Sequence, residues 1–342
     1  MPEFLSAILL LILGGAVLIS GGEIFIRGAT GLAHLFRIPP LIIGLTIVAA
    51  ATSAPEMAVS LIGILGKTPN PDIALGNVVG SNIANILLIL GFTATLRPLA
   101  VSNSMVKREI PMMILFSILL WLFSFFTLRL NTAGLPVHAL PLWGGIFFLL
   151  LLAVYNFIIV REASQERNKE LAQQVSEETE IRTVVPKKGA GHIILAAAAL
   201  AAGLGMLIGG SHLFVEEAKI IAKICGVSDL VISLTILAVG TSLPELAVSI
   251  ISVIRGNVDI AVGNVMGSNI FNLLGILGVS AVAAGGLAVS NQALICDIPM
   301  MIGTAAIGGY FCITDKKLER WEGAFLLAAY IAYTIFLMKR GG

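Results

Sequence analysis

The chain has 342 residues, 57% of them hydrophobic and only 12% charged, with a net charge of +1. A soluble protein of this length carries roughly a quarter charged residues, so a water-soluble globular fold is excluded and a polytopic helical membrane protein is expected. The near-neutral charge, with no basic stripe, argues against a nucleic-acid partner. Cys225, Cys296 and Cys312 have no CxxC spacing and no nearby histidine, which disfavours zinc and disulfides.

In chain order, apolar runs predict ten helices, at 4–36, 40–65, 72–95, 106–128, 138–160, 191–223, 229–254, 259–284, 293–312 and 320–338. The opening "MPEFLSAILL" lacks a basic n-region and reads as the start of the first span, not as a cleaved signal. The second run, "IVAAATSAPEMAVSLIG", holds a proline and a glutamate at a depth where a carboxylate costs several kcal/mol. Between the fifth and sixth runs, Arg161 to Gly189 is the one extended hydrophilic stretch, read as a solvated linker. The expected units are therefore 1–160, a linker at 161–190, and 191–342. Arg37, Arg97, Lys107, Arg108, Arg255, Lys316, Lys317 and Arg320 share the linker's side, against Lys67, Arg129, Lys219, Lys223, Lys339 and Arg340 opposite. The positive-inside rule then puts the linker in the cytoplasm and both termini outside, in the cell (plasma or inner) membrane.

The chain repeats itself. "ATSAPEMAVS" from Ala51 returns as "GTSLPELAVS" from Gly240, and "GNVVGSNIANILLILG" from Gly76 as "GNVMGSNIFNLLGILG" from Gly263. "LAVSNSMVKREIPMMI" from Leu99 returns as "LAVSNQALICDIPMMI" from Leu287, all at an offset of about 188 residues. Five helices per half is an odd number, so mates cross the membrane in opposite directions. The expected fold is all-α, ten transmembrane helices in two inverted-topology five-helix repeats. Such folds place a substrate site at the midplane, marked by paired interrupted helices. Here the interruptions are Pro55 and Pro244, each followed by glutamate.

Proline lacks an N–H and its ring displaces the carbonyl four residues earlier, freeing backbone oxygens. Thr52, Ser53 and Glu56 lie within one turn, and Thr241, Ser242 and Glu245 repeat the set. Asn77, Ser81 and Asn85 form a polar stripe at i, i+4, i+8, mirrored by Asn264, Ser268 and Asn272. Gly76 with Gly80 and Gly263 with Gly267 have the spacing that lets helix backbones approach. An all-oxygen set with two carboxylates suits calcium, which takes about six to eight oxygens; soft metals want His or Cys, and magnesium dehydrates reluctantly. Glu109 and Asp297, matched across the repeats before a proline, read as helix-start acids. Glu23 has no acidic mate, since His212 stands there.

"ATSAPE" with "GNVVGSNIAN", and "GTSLPE" with "GNVMGSNIFN", resemble the two alpha-repeats of the sodium/calcium exchangers, within the calcium:cation antiporter superfamily. The resemblance, to the prokaryotic-type calcium/sodium antiporters, covers nearly the whole chain outside the linker. It implies calcium ligation by the carboxylates of Glu56 and Glu245 and the backbone oxygens of Thr52 and Thr241. It implies sodium ligation by Ser53, Ser242, Ser81, Ser268, Asn85 and, at the twin position, Asn272, with backbone oxygens of Ala49 and Ala238. Several better-known members carry aspartate where this chain has Asn272, which leaves sodium, potassium and protons open as counter-ion. The proton-driven branch carries "GNxxE" in place of "TSxPE", which disfavours a calcium/proton exchanger.

The expected activity is antiport of calcium against sodium by alternating access, the two ions competing at one midplane site. A potassium-dependent exchanger or a calcium/proton antiporter is the alternative. A cation channel, needing no counter-ion, is a remoter one. No enzyme is expected, since HExxH, a GxSxG nucleophile and an intramembrane aspartate pair are missing. No cofactor is expected, and the partners are calcium, sodium and the bilayer, with no protein partner called for.

Overall fold

The computed structural model describes residues 2–130, 136–177, 190–227, 232 and 238–341. Helices α1 (Pro2–Phe36), α2 (Pro40–Thr52) and α3 (Ala54–Leu65) are followed by α4 (Pro71–Leu96), α5 (Met105–Phe126) and α6 (Leu142–Glu177). Helix α7 (Ala190–Ile224), a turn at Ala238–Gly240, α8 (Leu243–Ile254), α9 (Val258–Ala283), α10 (Ala293–Ile313) and α11 (Arg320–Gly341) complete the chain. Among the described residues eight helices are long and apolar enough to cross a membrane, and the bent pair α2–α3 makes a ninth. The predicted span at 229–254 begins outside the described residues, apart from Ile232, and is seen from Ala238 onward. The protein is thus a multi-pass membrane protein built from helices.

The interruption expected at Pro55 is present: the span at 40–65 is two helices, bent by 41° at Ser53. Pro55, at the second position of α3, has no N–H to continue the ladder. The helix expected at 138–160 starts at Leu142 and runs on to Glu177, so the first half of the hydrophilic linker is helical. Between Arg161 and Glu177 there is no glycine or proline, and Glu, Lys, Gln and Ala are good helix formers. Residues 138–140 instead belong to a strand. Short strands at the helix ends give loop backbones their hydrogen bonds. Strand β1 (Leu99–Ala100) pairs antiparallel with β5 (Lys317–Leu318), Leu99 opposite Leu318. Strand β3 (Pro136–Leu140) pairs with β2 (Leu128–Leu130) and β4 (Leu287–Ala288), Leu140 opposite Leu287.

Burial sorts the helices. The most apolar stretch of α4 is 72% buried and that of α9 83%, against 17–39% for the other spans, so these two form the centre. That explains how they carry polar stripes: those residues face protein and not lipid. Gly263 and Gly267 let α9 touch α2. A Cβ at Gly263 would stand 2.8 Å from the Leu41 carbonyl, and one at Gly267 2.5 Å from that of Leu45. No described atom lies within 4 Å of a Cβ at Gly76 or Gly80. The repeat counterparts of Leu41 and Leu45 fall at 230 and 234, outside the described residues.

The long helices α1 and α7 are pressed together along a second glycine seam. Gly14, Gly21 and Gly28 are seven apart, two turns, and so share a face. A Cβ on any of them would come within 2.8 Å of α7, as one on Gly203 or Gly210 would of α1. Two ion pairs at repeat-related places tie neighbouring helices. Arg108 pairs with fully buried Glu109 and with Glu162 on α6, while Tyr155 donates to Glu109 Oε2 at 2.7 Å. Asp297 on α10 pairs with Arg340 on α11 at 2.5 Å. Glu109 and Asp297, read from sequence as helix-start acids, are therefore clamps between helices. Glu23 on α1 takes Arg27 at 2.9 Å and Arg255, after α8, at 2.5 Å.

Candidate ion site

Both Pro-Glu motifs break the helix the same way. Ser53 has φ −81°, ψ 8° and Ser242 φ −89°, ψ 7°, each just outside the helix that follows. Glu56 and Glu245 are the third residues of α3 and α8, so each carboxylate lies at a helix N-terminus. There the free N–H groups and the helix dipole favour negative charge. Each glutamate is 1% exposed. Helix α9 packs on α2 and α8, and α4 packs on α3 and on the turn Ala238–Gly240, bringing both breaks against both polar stripes.

The hydrogen bonds cross between halves. Ser53 Oγ donates to Glu245 Oε1 at 2.9 Å, and Ser242 Oγ to Glu56 Oε1 at 3.1 Å. Asn77 Nδ2 donates to the Glu56 carbonyl at 2.9 Å and to Ser60 Oγ at 3.0 Å. Asn264 Nδ2 does the same for the Glu245 carbonyl (3.3 Å) and Ser249 Oγ (3.0 Å), and its Oδ1 accepts from Thr52 Oγ1 at 3.1 Å. Asn77 and Asn264 thus support the breaks, a part the sequence stripe did not separate from that of Ser81 and Asn85.

What is left over is more informative. Glu56 Oε2 and Glu245 Oε2, Ser81 Oγ and Ser268 Oγ, Asn85 Oδ1 and Asn272 Oδ1 are all buried with no hydrogen-bond partner among the described residues. They are six oxygens in three repeat-related pairs. A buried polar atom without a partner costs about 1–3 kcal/mol. The glutamate pair lies at the helix breaks of α3 and α8 and the serine and asparagine pairs on central α4 and α9, an all-oxygen set of the kind that suits a hard cation. Ser124, Ser252 and Ser280 are also unpartnered, but they form no such pairs: their repeat mates are Cys312, Gly63 and Thr93, and the Thr93 hydroxyl is bonded to backbone carbonyls. Asn85 and Asn272 each begin a π-helical turn, Asn85–Leu90 and Asn272–Ile276. Such widened turns recur at functional sites.

Of the remaining predicted ligands, Thr52 and Ala49 are fully buried, and the Ala49 carbonyl accepts the Ser53 N–H at 3.0 Å. Ala238 opens the turn Ala238–Gly240. Thr241 is half-buried and, with Pro55, Val59, Ser211, His212 and Glu216, lines a cavity of about 210 Å³ beneath α7. Thr52, by contrast, is fully buried, and on the first half's side Ile251 of α8 packs against Gly22 of α1. Asn82 and Asn269 were not singled out from the sequence, yet both bond to stripe asparagines. Their signal was the duplicated "GSN" triplet, off the i, i+4 stripe.

The profile of the sodium/calcium exchanger protein family matches residues 6–161 and 195–339. The chain is 33% identical over 344 residues to the sodium/calcium exchanger MaX1 of Methanosarcina acetivorans, covering 96% of this chain and 97% of that one. It is 35% identical over 338 residues to the inner membrane protein YrbG of Escherichia coli, with 97% of each covered. Among solved structures, the sodium-calcium exchanger NCX_Mj soaked with 10 mM sodium and no calcium superposes with a TM-score of 0.76 at 27% identity. That match covers 96% of this chain and 98% of the other. The chain belongs to the sodium/calcium exchanger family, and is a membrane antiporter and not an enzyme.

Proposed function

We propose that the chain exchanges calcium for sodium by alternating access, at a pocket formed where the Glu56 and Glu245 helix breaks meet α4 and α9. The observation that carries this is the set of six unpartnered oxygens in repeat-related pairs. In this reading Glu56 and Glu245, with the Thr52 and Thr241 carbonyls, hold calcium. Ser53, Ser242, Ser81, Ser268, Asn85 and Asn272, with the Ala49 and Ala238 carbonyls, add the sodium positions. Two carboxylates neutralise one divalent ion, which offsets most of its burial cost. Sodium and calcium need the same oxygens, so one excludes the other and flux is coupled.

The architecture that goes with this function is ten transmembrane helices in two inverted repeats, with the 161–190 segment cytoplasmic and both termini outside, in the cell membrane. The cavity from Glu216 to Thr241 is then an outer entry, and the close packing of α1 on α8 is the shut inner side. Calcium-45 uptake into sodium-loaded proteoliposomes tests the reading, compared with potassium-loaded vesicles and with a pH gradient. Sodium-driven uptake is expected, and Glu56→Gln and Glu245→Gln should each abolish it. Wild-type uptake in either variant defeats the site assignment, and uptake that needs no counter-ion makes the protein a channel.

A further inference from the structure

Asn82 and Asn269 are 4% and 1% exposed and supply no ligand to the pocket just proposed. Each nevertheless holds an amide that does. Asn272 Nδ2 donates to Asn82 Oδ1 at 3.0 Å, and Asn85 Nδ2 donates to Asn269 Oδ1 at 3.3 Å. Both bonds cross from one half of the chain to the other.

Their direction is set one step further out. Asn82 Nδ2 donates to the backbone carbonyl of Asn269 at 3.3 Å. A carbonyl only accepts, so Asn82 must turn its nitrogen there and leave its oxygen for Asn272. Asn272 must then offer nitrogen to Asn82, which frees its own Oδ1. On the other side Asn269 Nδ2 donates to Met113 Sδ at 3.4 Å. A thioether also only accepts, so Asn269 Oδ1 faces Asn85, and Asn85 Oδ1 is freed in turn. The two ends of an amide are told apart by their partners alone. Here the outer acceptors decide that Asn85 and Asn272 each have oxygen, and not NH₂, left without a partner. An unbraced amide turned end for end would present two donors to a cation.

We infer that Asn82 and Asn269 are positioning residues that lock Asn272 and Asn85 with their carbonyl oxygens toward the ion, and so set the affinity for sodium. The inference rests on the proposed sodium role of Asn85 and Asn272. In proteoliposomes, Asn82→Leu and Asn269→Leu should each raise the half-saturating sodium concentration by roughly fivefold to tenfold. Half-saturating calcium in calcium–calcium exchange should move by less than about twofold, because the carboxylates are not part of the brace. Asn82→Leu combined with Asn272→Ala should be no worse than Asn272→Ala alone, since the first acts through the second. A general packing defect would shift both ions and would add to Asn272→Ala. If a leucine variant does not fold, Asn82→Ala or Asn269→Ala replaces it. Thermal unfolding in sodium chloride against choline chloride gives a readout without transport: sodium should stabilise the wild type and stabilise the brace variants less. Unmoved sodium dependence in both variants, or additivity with Asn272→Ala, overturns the brace. Sodium-independent flux or surviving flux in Glu56→Gln overturns the exchange reading instead.

Discussion

Ser53 and Ser242 show how much rests on single hydroxyls. Each spends its proton on the glutamate of the other half, so each carboxylate keeps one oxygen fixed and one free. Removing such a bond to a charged group costs about 1.5–3 kcal/mol. Ser242→Ala should therefore raise half-saturating calcium by roughly tenfold or more, with Glu56 still present to bind. Ser53→Ala should do the same through Glu245. Equal calcium curves for wild type and both variants, from calcium-45 flux, would show the hydroxyls to be bystanders. At this scale the two helix breaks and their buried glutamates were legible in the sequence, because Thr-Ser-x-Pro-Glu is read twice and a duplicated acid beside a duplicated proline has few structural uses in a membrane. Hidden from it was the cross-wiring, since no pattern along one strand of sequence says that Ser53 will serve Glu245. The asparagine brace was hidden for the same reason.

Among elements, the two helix-to-helix clamps make a comparison by magnitude. Glu109 is fully buried, whereas Asp297 is 23% exposed, as is Arg340 at 27%. Breaking a buried pair by removing one partner strands a charge and costs about 3–5 kcal/mol. An exposed pair is worth about 0–1 kcal/mol. Arg108→Ala should thus lower the unfolding temperature in detergent sharply, and Arg340→Ala little. Comparable shifts would mean that Glu109 is kept comfortable by Tyr155 alone. The clamps also show where sequence reading stopped. Helix order followed from apolar length, with nine of the ten expected spans seen among the described residues when the bent pair is counted as one, and the bounds mostly agree within a few residues. An acid before a proline looked like an ordinary helix start, because the partners that redefine it lie far along the chain, Tyr155 46 residues from Glu109 and Arg340 43 residues from Asp297. The strand pairs were illegible likewise: two-residue strands have no periodicity to detect, and only the folded chain brings Leu99 to Leu318.

For the whole molecule, the proposed pocket carries a formal charge of −2 from Glu56 and Glu245. One calcium makes it neutral and three sodium ions make it +1. Three-for-one exchange then moves charge, and a membrane potential biases it by about 2.3 kcal/mol per elementary charge per 100 mV. Sodium-driven calcium uptake in vesicles clamped with potassium and valinomycin should change with the imposed potential, and an indifferent rate would point to two-for-one exchange. Helices α1 and α7, 35 residues each, meet through glycine with no room for side chains along the seam.

The twinning of the unpartnered oxygens reaches beyond the chemistry of binding. An ion arriving through either mouth would meet the same glutamate, serine and asparagine, presented in mirrored order by the opposite half. On the proposed exchange reading, such a pocket would offer a like set of ligands to an ion from either face, and the gradients on the two sides of the membrane would choose the direction of exchange.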